Sequence, residues 1–405
     1  MSITLPETLI RVPSLRKPDR EQVAVARPTR RYDVITCRSA ADAAPYLASW
    51  AQLAATALEV NPFYEPWMLL PALSLFGSRN TEIALVCETD PNAGGRVRVI
   101  GVFPLEYTRS FRGLPIRTVR LWKHPHCFLC TPLICSDATS ECWNTFFAWL
   151  KGQRRGAILQ MPCQAVDGPY FHELLGHIRQ SGQTLQLQDL YARAVMKLDR
   201  DAETYMQQHM GKSTLKTLRS RRKKLEEQGA LQSLSISAEA DIEPWLCNFL
   251  KLEASGWKGN SGTAMGCSPV NQDYFRQICT AAHQQGRLAM LSLELNGEPI
   301  AMQVDVHAGQ AAFGFKIAFD DRFSRFSPGM VLVQDSMIRA HTQRRMDWMD
   351  CCAAAGNETT NHLWGQRRMI GDILLSTGRP LGELFLSILP LARYVRRWFG
   401  KSKAE

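Results

Sequence analysis

The chain has 405 residues, of which 45% are hydrophobic and 21% charged, enough to bury a substantial core and too long for one compact domain of ordinary size. Its formal net charge of +10 points to an anionic partner, which can be nucleic acid, a membrane surface or the phosphates of a cofactor. Twelve scattered cysteines, and an N-terminus whose positive residues precede no apolar segment, argue against secretion and a disulfide scaffold and fit reduced thiols in a cytoplasm.

Residues 1–31 carry Pro6, Pro13, Pro18 and Pro28 among seven Arg or Lys without apolar periodicity, and read as a flexible basic leader. A helical stretch over 40–60 follows, then strands at 82–88, 96–107 and 115–122, with turns at Gly94-Gly95 and Arg112-Gly113. A strand at 192–198 precedes a charged helix and puts a domain boundary near 190–200. The run KSTLKTLRSRRKK, from Lys212 to Lys224, has seven basic residues on a helical pattern, with Leu215, Leu218 and Leu225 at i, i+3 and i+10. No aromatic residue interleaves it, which disfavours nucleic acid.

The second half repeats the plan: helices at 246–253 and 271–285, then strands at 288–295, 300–306 and 311–319 with turns at Asn296-Gly297 and Ala308-Gly309. Two copies of helix-then-meander indicate tandem mixed α/β domains, because a solenoid repeats every 20 to 50 residues, about a quarter of this spacing or less. A short strand at 346–350 leads to Cys351 and Cys352, which read as structural thiols. After Gly371 the chain reads as a helix. The most apolar late stretch, 384–391, is far short of the roughly 20 residues that span a bilayer.

On the strand 300–306, alternation sends Ala301, Gln303 and Asp305 to one face. A four-residue turn at 307–310 would set Asp305 opposite Ala312 and Lys316 opposite Ala301, keeping the two charges about 13 Å apart on a shared polar face. A solvated face and a ligand cleft explain that pattern equally well. Gly211-Lys212-Ser213 lacks the first glycine and preceding strand of a phosphate loop. His124, His126, Cys127 and Cys130 lack the second ligand pair of a zinc site, so no metal is expected.

Two stretches carry more. FLKLEASGWKGNSGTA (249–264) ends a helix in a glycine loop with an acidic residue and a Trp, and AAFGFKIAFDDRFSRFSPGMVLVQDSMIRA (311–340) reads as strand, polar loop and helix. Together they resemble the CelD-like acetyltransferases first associated with bacterial cellulose biosynthesis, a branch of the GNAT superfamily related to the FemAB peptidoglycan bridge enzymes. The resemblance covers most of the second half and, more weakly, the first.

That resemblance implies an α/β fold of two tandem GNAT-like domains, with mixed, mostly antiparallel sheets flanked by helices, facing a shared cleft. The leader 1–31 would be followed by an acceptor-side domain at 32–190, an acyl-CoA domain at 191–380 and a basic amphipathic tail at 381–405. It implies acyl transfer from acyl-CoA to an amine or hydroxyl of a sugar or lipid-linked envelope or exopolysaccharide precursor. Glu253 and Asp305 are the candidate bases and Lys316 a phosphate partner. Gln303, Ser327, Pro328, Gly329 and Met330 are expected to hold the cofactor, since a helix N-terminus presents free amides and a favourable dipole to phosphate. Trp67, His124, His126, Trp257 and Lys258 are expected at the acceptor.

The family-wide glycine-rich pyrophosphate signature is not intact, which leaves room for a non-catalytic envelope-assembly factor. An aminoacyl-tRNA-dependent transferase of FemAB type is favoured by the basic helix and disfavoured by the missing helical arm. The tail, with Arg393, Arg396, Arg397, Lys401 and Lys403 around Trp398 and Phe399, suits peripheral contact with anionic lipid, at about 1 kcal/mol per basic residue.

Overall fold

A computed structural model describes residues 9–10, 30–91, 95–256, 259, 261–262 and 264–389. Trp257, Lys258, most of the expected leader and the tail from 390 onward lie outside the described residues. The chain divides into two units, Met1–Tyr191 with Met369–Glu405, and Ala192–Arg368.

The first unit contains, in chain order, β1 (Leu9–Ile10), β2 (Arg31–Cys37), α1 (Ala40–Ala43), α2 (Leu47–Thr56), α3 (Pro66–Phe76), β3 (Thr81–Asp90), β4 (Arg96–Thr108) and β5 (Thr118–Leu121). Then come β6 (Leu133–Ile134), α4 (Thr139–Gln153), β7 (Ile158–Ala165), α5 (Pro169–Ser181) and the start of β8 (Leu185–Lys197). Strands β2, β3, β4 and β5 form an antiparallel meander. The next neighbour, β7, runs parallel to β5, so the chain needs a crossover, and α4 supplies it.

Helix α4 buries Cys142, Trp143, Phe146, Phe147 and Leu150, a stripe one face of a helix wide. Phe146 stacks on Phe103 of β4 with ring centroids 3.9 Å apart, and Trp143 tilts against the same ring. Each such aromatic contributes about 1.5–3 kcal/mol by burial. The close approach depends on Gly101, where a Cβ would lie 2.3 Å from Cys142 Sγ.

In the second unit the end of β8 is followed by α6 (Ala202–His209), α7 (Lys212–Glu226), β9 (Leu231–Ser235), α8 (Glu243–Ser255) and α9 (Pro269–Gln284). The sheet strands β10 (Leu288–Leu295), β11 (Glu298–Ala308) and β12 (Ala311–Phe319) come next, then α10 (Pro328–Gln343), β13 (Trp348–Asp350) and α11 (Glu358–Leu363). The strand order β9-β10-β11-β12-β13 is antiparallel except for its last pair, which is parallel and is bridged by α10. Meander, crossover helix and parallel strand thus occur in both units.

The last strand, β14 (Gln366–Ser376), returns the chain to the first unit, pairing antiparallel with β7 from Ile370 opposite Ala165 to Ser376 opposite Ile158. Two sequence expectations change here. Residues 369–380 belong to the first unit, and the segment after Gly371 continues as strand to Ser376 before a helix at 380–389. Ile370, Ile373, Leu374 and Leu375 are all buried, a run that periodicity cannot separate from a buried helix.

Gly101→Ala is expected to lower stability by about 1–3 kcal/mol, because the added methyl overpacks the contact of β4 with α4. Urea unfolding followed by far-UV circular dichroism measures this.

Candidate functional site

In the second unit β12 and β13 pair only through Ala311–Trp348, Ala312–Met349 and Phe313–Asp350. The ladder on that side ends at Phe313, while on the other side β12 stays paired with β11 out to Phe319. Gly314 stands at the fork, where a Cβ would come within 3.0 Å of the Cys351 carbonyl oxygen. Past the fork, no strand among the described residues continues the ladder on that edge of β12.

The segment that follows turns into α10. Asp320 accepts a hydrogen bond from the Arg322 amide at 2.9 Å and pairs with the Arg322 guanidinium at 2.6 Å, fixing a 3-10 turn over Asp321–Phe326. Ser327 takes a left-handed conformation, φ 49°, and caps α10 without a side-chain hydrogen bond. Pro328 occupies the first helical turn, where its missing N–H costs nothing, and Met330 donates its amide back to the Ser327 carbonyl at 3.0 Å. Arg221 of α7 reaches Met330 Sδ at 3.0 Å, and Arg222 pairs with Asp335. The positive end of the α10 dipole therefore has further cationic charge beside it.

The expected polar face of β11 and β12 is rearranged. The hairpin turn is two residues, Gly309-Gln310, with Ala308 opposite Ala311, and a bulge shifts the register between Val304 and Asp305. Asp305 consequently faces Gly314, not Ala312, and Lys316 faces Val304, not Ala301. Since Val304 and Asp305 are consecutive, Lys316 lies on the opposite face from Asp305. The single face predicted for Gln303, Asp305 and Lys316 is a misreading caused by one extra residue, which a period-two pattern cannot reveal.

Gln303 and Asp305 are buried. Gln303 Nε2 donates to Asp305 Oδ2 at 2.7 Å and to Ser336 Oγ of α10 at 3.2 Å. Gln303 Oε1 and Asp305 Oδ1 have no hydrogen-bond partner among the described residues. Burial raises the Asp305 pKa to about 7, and the bond from Gln303 offsets that only in part.

Glu253 is also buried, near the end of α8, and its Oε2 accepts the Met265 amide at 2.8 Å. It ties the returning end of the glycine loop to the helix. Trp257 and Lys258, in that loop, are outside the described residues. In the first unit, Trp67 Nε1 donates to Glu65 Oε2 at 2.9 Å. His124 and His126 are buried against Phe76, with Trp122 next to His124. Burial, and secondarily His126, lower the His124 pKa to about 3, so this ring is neutral.

The first unit has its own fork. Strands β5 and β7 pair through Thr118–Ile158, Val119–Leu159 and Arg120–Gln160. A cavity of about 370 Å³ opens where that ladder ends, lined by Arg112, Arg120, Gln160, Gln188 and Asp372 among others. Trp67, His124 and His126 are not among its lining residues. Sequence reasoning missed this cavity; the one available signal was the unusual Met161-Pro162-Cys163 inside a strand, since proline interrupts a ladder and marks a bulge.

Residues 212–359 match the family model described as "Acetyltransferase (GNAT) domain". Among solved structures, FemX aligns with a TM-score of 0.54 at 12% identity, over 84% of this chain and 98% of that one. A C-terminal domain of a putative lysylphosphatidylglycerol synthetase from Agrobacterium fabrum aligns at 0.49 and 11% identity, over 87% of this chain and 96% of its own. A tandem GNAT protein of the clavulanic acid biosynthesis pathway aligns at 0.44 and 12%, over 87% and 99%. No curated protein matches the chain. The fold is mixed α/β and GNAT-like, and residues 212–359 of the second unit are similar to a GNAT acetyltransferase domain.

A carboxyl whose folded-state pKa is raised adds stability that is complete below its unfolded value and is lost as pH rises through about 7. A rise from the usual 3.8 to about 7, at 1.36 kcal/mol per pH unit, is on the order of 4 kcal/mol as a ceiling. Asp305→Asn keeps an acceptor for Gln303 and removes the titration. The variant is expected to gain on the wild type between pH 5 and about pH 8, as read from urea midpoints at both values.

Proposed function

We propose that the chain is an acyltransferase that moves an acyl group from acyl-CoA to an amine or hydroxyl, within the CelD-like branch of the GNAT superfamily. The observation that carries this reading is the coincidence of the GNAT match at 212–359 with the fork of β12 and β13 and the Ser327-Pro328-Gly329 entry to α10. A pantetheine arm fits beside the diverging strands of the fork, and a pyrophosphate fits the positive end of the α10 dipole beside Arg221. Ser327, Pro328, Gly329 and Met330 form the proposed phosphate-side turn, with the Gly329 amide as its donor, since the Ser327 and Met330 amides already bond the Ser324 and Ser327 carbonyls and Pro328 has none.

The acceptor nitrogen or oxygen attacks the thioester carbonyl, the carbon–sulfur bond breaks, and the CoA thiolate leaves. The acceptor proton goes to Glu253, at the junction of α8 and the glycine loop that carries Trp257 and Lys258. Asp305, enclosed between β11 and Ser336, is assigned to positioning rather than to proton transfer. The substrate class is a sugar or lipid-linked precursor of envelope or exopolysaccharide. A cytoplasmic setting is supported by twelve cysteines, none of them in a disulfide. No helix among the described residues is long and apolar enough to cross a membrane.

A second reading, an aminoacyl-tRNA donor, is supported by α7. Lys212, Lys216, Arg219 and Lys223 are exposed at i, i+4, i+7 and i+11, a cationic stripe along one face that matches a phosphodiester chain in sign.

Titration calorimetry with acetyl-CoA is expected to give saturable heat, and Met330→Glu to weaken it at least about tenfold, because a carboxylate at the third helical position repels phosphate while suiting the helix dipole. Absence of heat from CoA and acetyl-CoA, together with an RNA gel shift abolished by Lys216→Glu and Arg219→Glu, selects the tRNA reading. Glu253→Gln, which retains an acceptor for the Met265 amide, is expected to lower kcat by roughly 10²-fold or more without shifting Tm.

A further inference from the structure

The cavity at the fork of β5 and β7 is built in a way that packing alone does not explain. Pro162 removes one ladder donor from β7, and Cys163, at φ 52°, turns its amide onto the Asp372 side chain, donating to Oδ1 at 2.8 Å. Strand β14 shifts register between Gly371 and Ile373, so Asp372 falls out of the ladder and its carboxyl lines the cavity. Burial, with a smaller contribution from Asp189, pushes that carboxyl above its usual range against the pull of the Cys163 amide, Lys123 and Arg120.

Opposite in charge, Arg112 and Arg120 line the same space. Arg112 donates to Gln188 Oε1 at 2.7 Å, and the buried Gln188 Nε2 has no hydrogen-bond partner among the described residues. A buried amide donor left unmade costs about 1–3 kcal/mol unless a ligand completes it. Arg120 stands opposite Glu106 in the β4–β5 register, and its side chain makes no hydrogen bond to a described residue. The Gln160 side chain likewise makes none among the described residues, although its backbone lies in the ladders of β5 and β14. Thr108 and Ser110 add hydroxyls at one side.

We infer that this cavity is a binding site for a phosphate-bearing polyol, with the phosphate on Arg112 and Arg120 and the hydroxyls on Asp372, Gln160 and Gln188. Planar guanidinium pairs match phosphate oxygens, while carboxylate and amide groups match sugar or glycerol hydroxyls. A volume of about 370 Å³ is at the small end of ligand pockets and suits a headgroup of hexose phosphate size. Resting on the transfer reading, this makes the polyol the acyl acceptor. The site is carried by the first unit alone.

The surroundings indicate that the phosphate can be lipid-borne. Phe111, at the cavity, packs edge-on to Phe385 of the helix at 380–389 with centroids 5.5 Å apart. That helix buries Leu386 but exposes Leu381, Leu384 and Ile388 by 60%, 60% and 49%, at i, i+3 and i+7. An outward apolar stripe, with exposed Arg109, Arg112 and Arg117 flanking the Phe111 that packs on its helix, is the composition of a surface that rests on anionic lipid.

Calorimetry of the full chain with glucose 6-phosphate and with glycerol 3-phosphate, in the absence of CoA, tests the site. Co-sedimentation with vesicles of phosphatidylglycerol, against phosphatidylcholine, tests the lipid source. Binding of a soluble phosphate or of phosphatidylglycerol vesicles is expected, weakened at least about tenfold by Arg120→Gln and by Asp372→Asn, with acetyl-CoA heat unchanged in both variants. Soluble binding alone assigns a free sugar phosphate, and vesicle binding that Arg120→Gln abolishes assigns a lipid headgroup. Silence with all four probes, equal binding of unphosphorylated glucose, or binding that neither variant weakens overturns the inference. Loss of acetyl-CoA heat with phosphate binding intact instead counts against the transfer reading alone.

Discussion

The constraint on which both units depend is that a parallel strand pair is held for three residues and then released. Backbone amides and carbonyls cannot be buried without partners, so a ladder that stops must hand its groups to a side chain, a loop or a ligand. In the first unit that substitution is visible: the Cys163 amide, turned out of the ladder at φ 52°, donates to the Asp372 carboxyl. In the second, β12 and β13 diverge after Phe313, and the first turn of α10 follows on the same strand's far end. A crossover helix makes each fork possible, because it separates the two parallel strands in sequence and allows them to diverge.

What the sequence conveys well is local. The strands at 288–295 and 311–319 match their predicted limits because alternation and the turn residues agree. Helix α10 is signalled by Pro328 just inside its start. Mixed α/β character follows from the same patterns, and so does its occurrence twice. Failures begin where one residue more or less decides the outcome. The bulge at Val304 and Asp305 reverses the face assigned to Lys316, and a hairpin turn of two residues instead of four moves every cross-strand partner.

The other losses are non-local. Asp372 and Arg120 line one cavity across some two hundred and fifty residues of chain, and nothing near either one announces the other. His124 and His126 drew attention as polar residues in an apolar stretch, but their rings are packed among Phe76 and Trp122, and His124 is neutral. Glu253, chosen for its place beside glycines, has one oxygen committed to the Met265 amide, a tie that depends on how the loop closes. Residue type near a turn suggests chemistry, whereas the partner that makes it chemistry or mere support comes from elsewhere in the chain.

The return of β14 to the first unit has a bearing on how the protein is made. Its pairing with β7 involves residues 370–376, which leave the ribosome only after the whole of the second unit has been synthesised. The earlier-made half must therefore wait with a strand position vacant while the later-made half, contiguous from 192 to 368, is free to mature first. Nascent chains that stall or terminate before about residue 376 expose the flank of β7, an unpaired edge of the kind that recruits chaperones or aggregates.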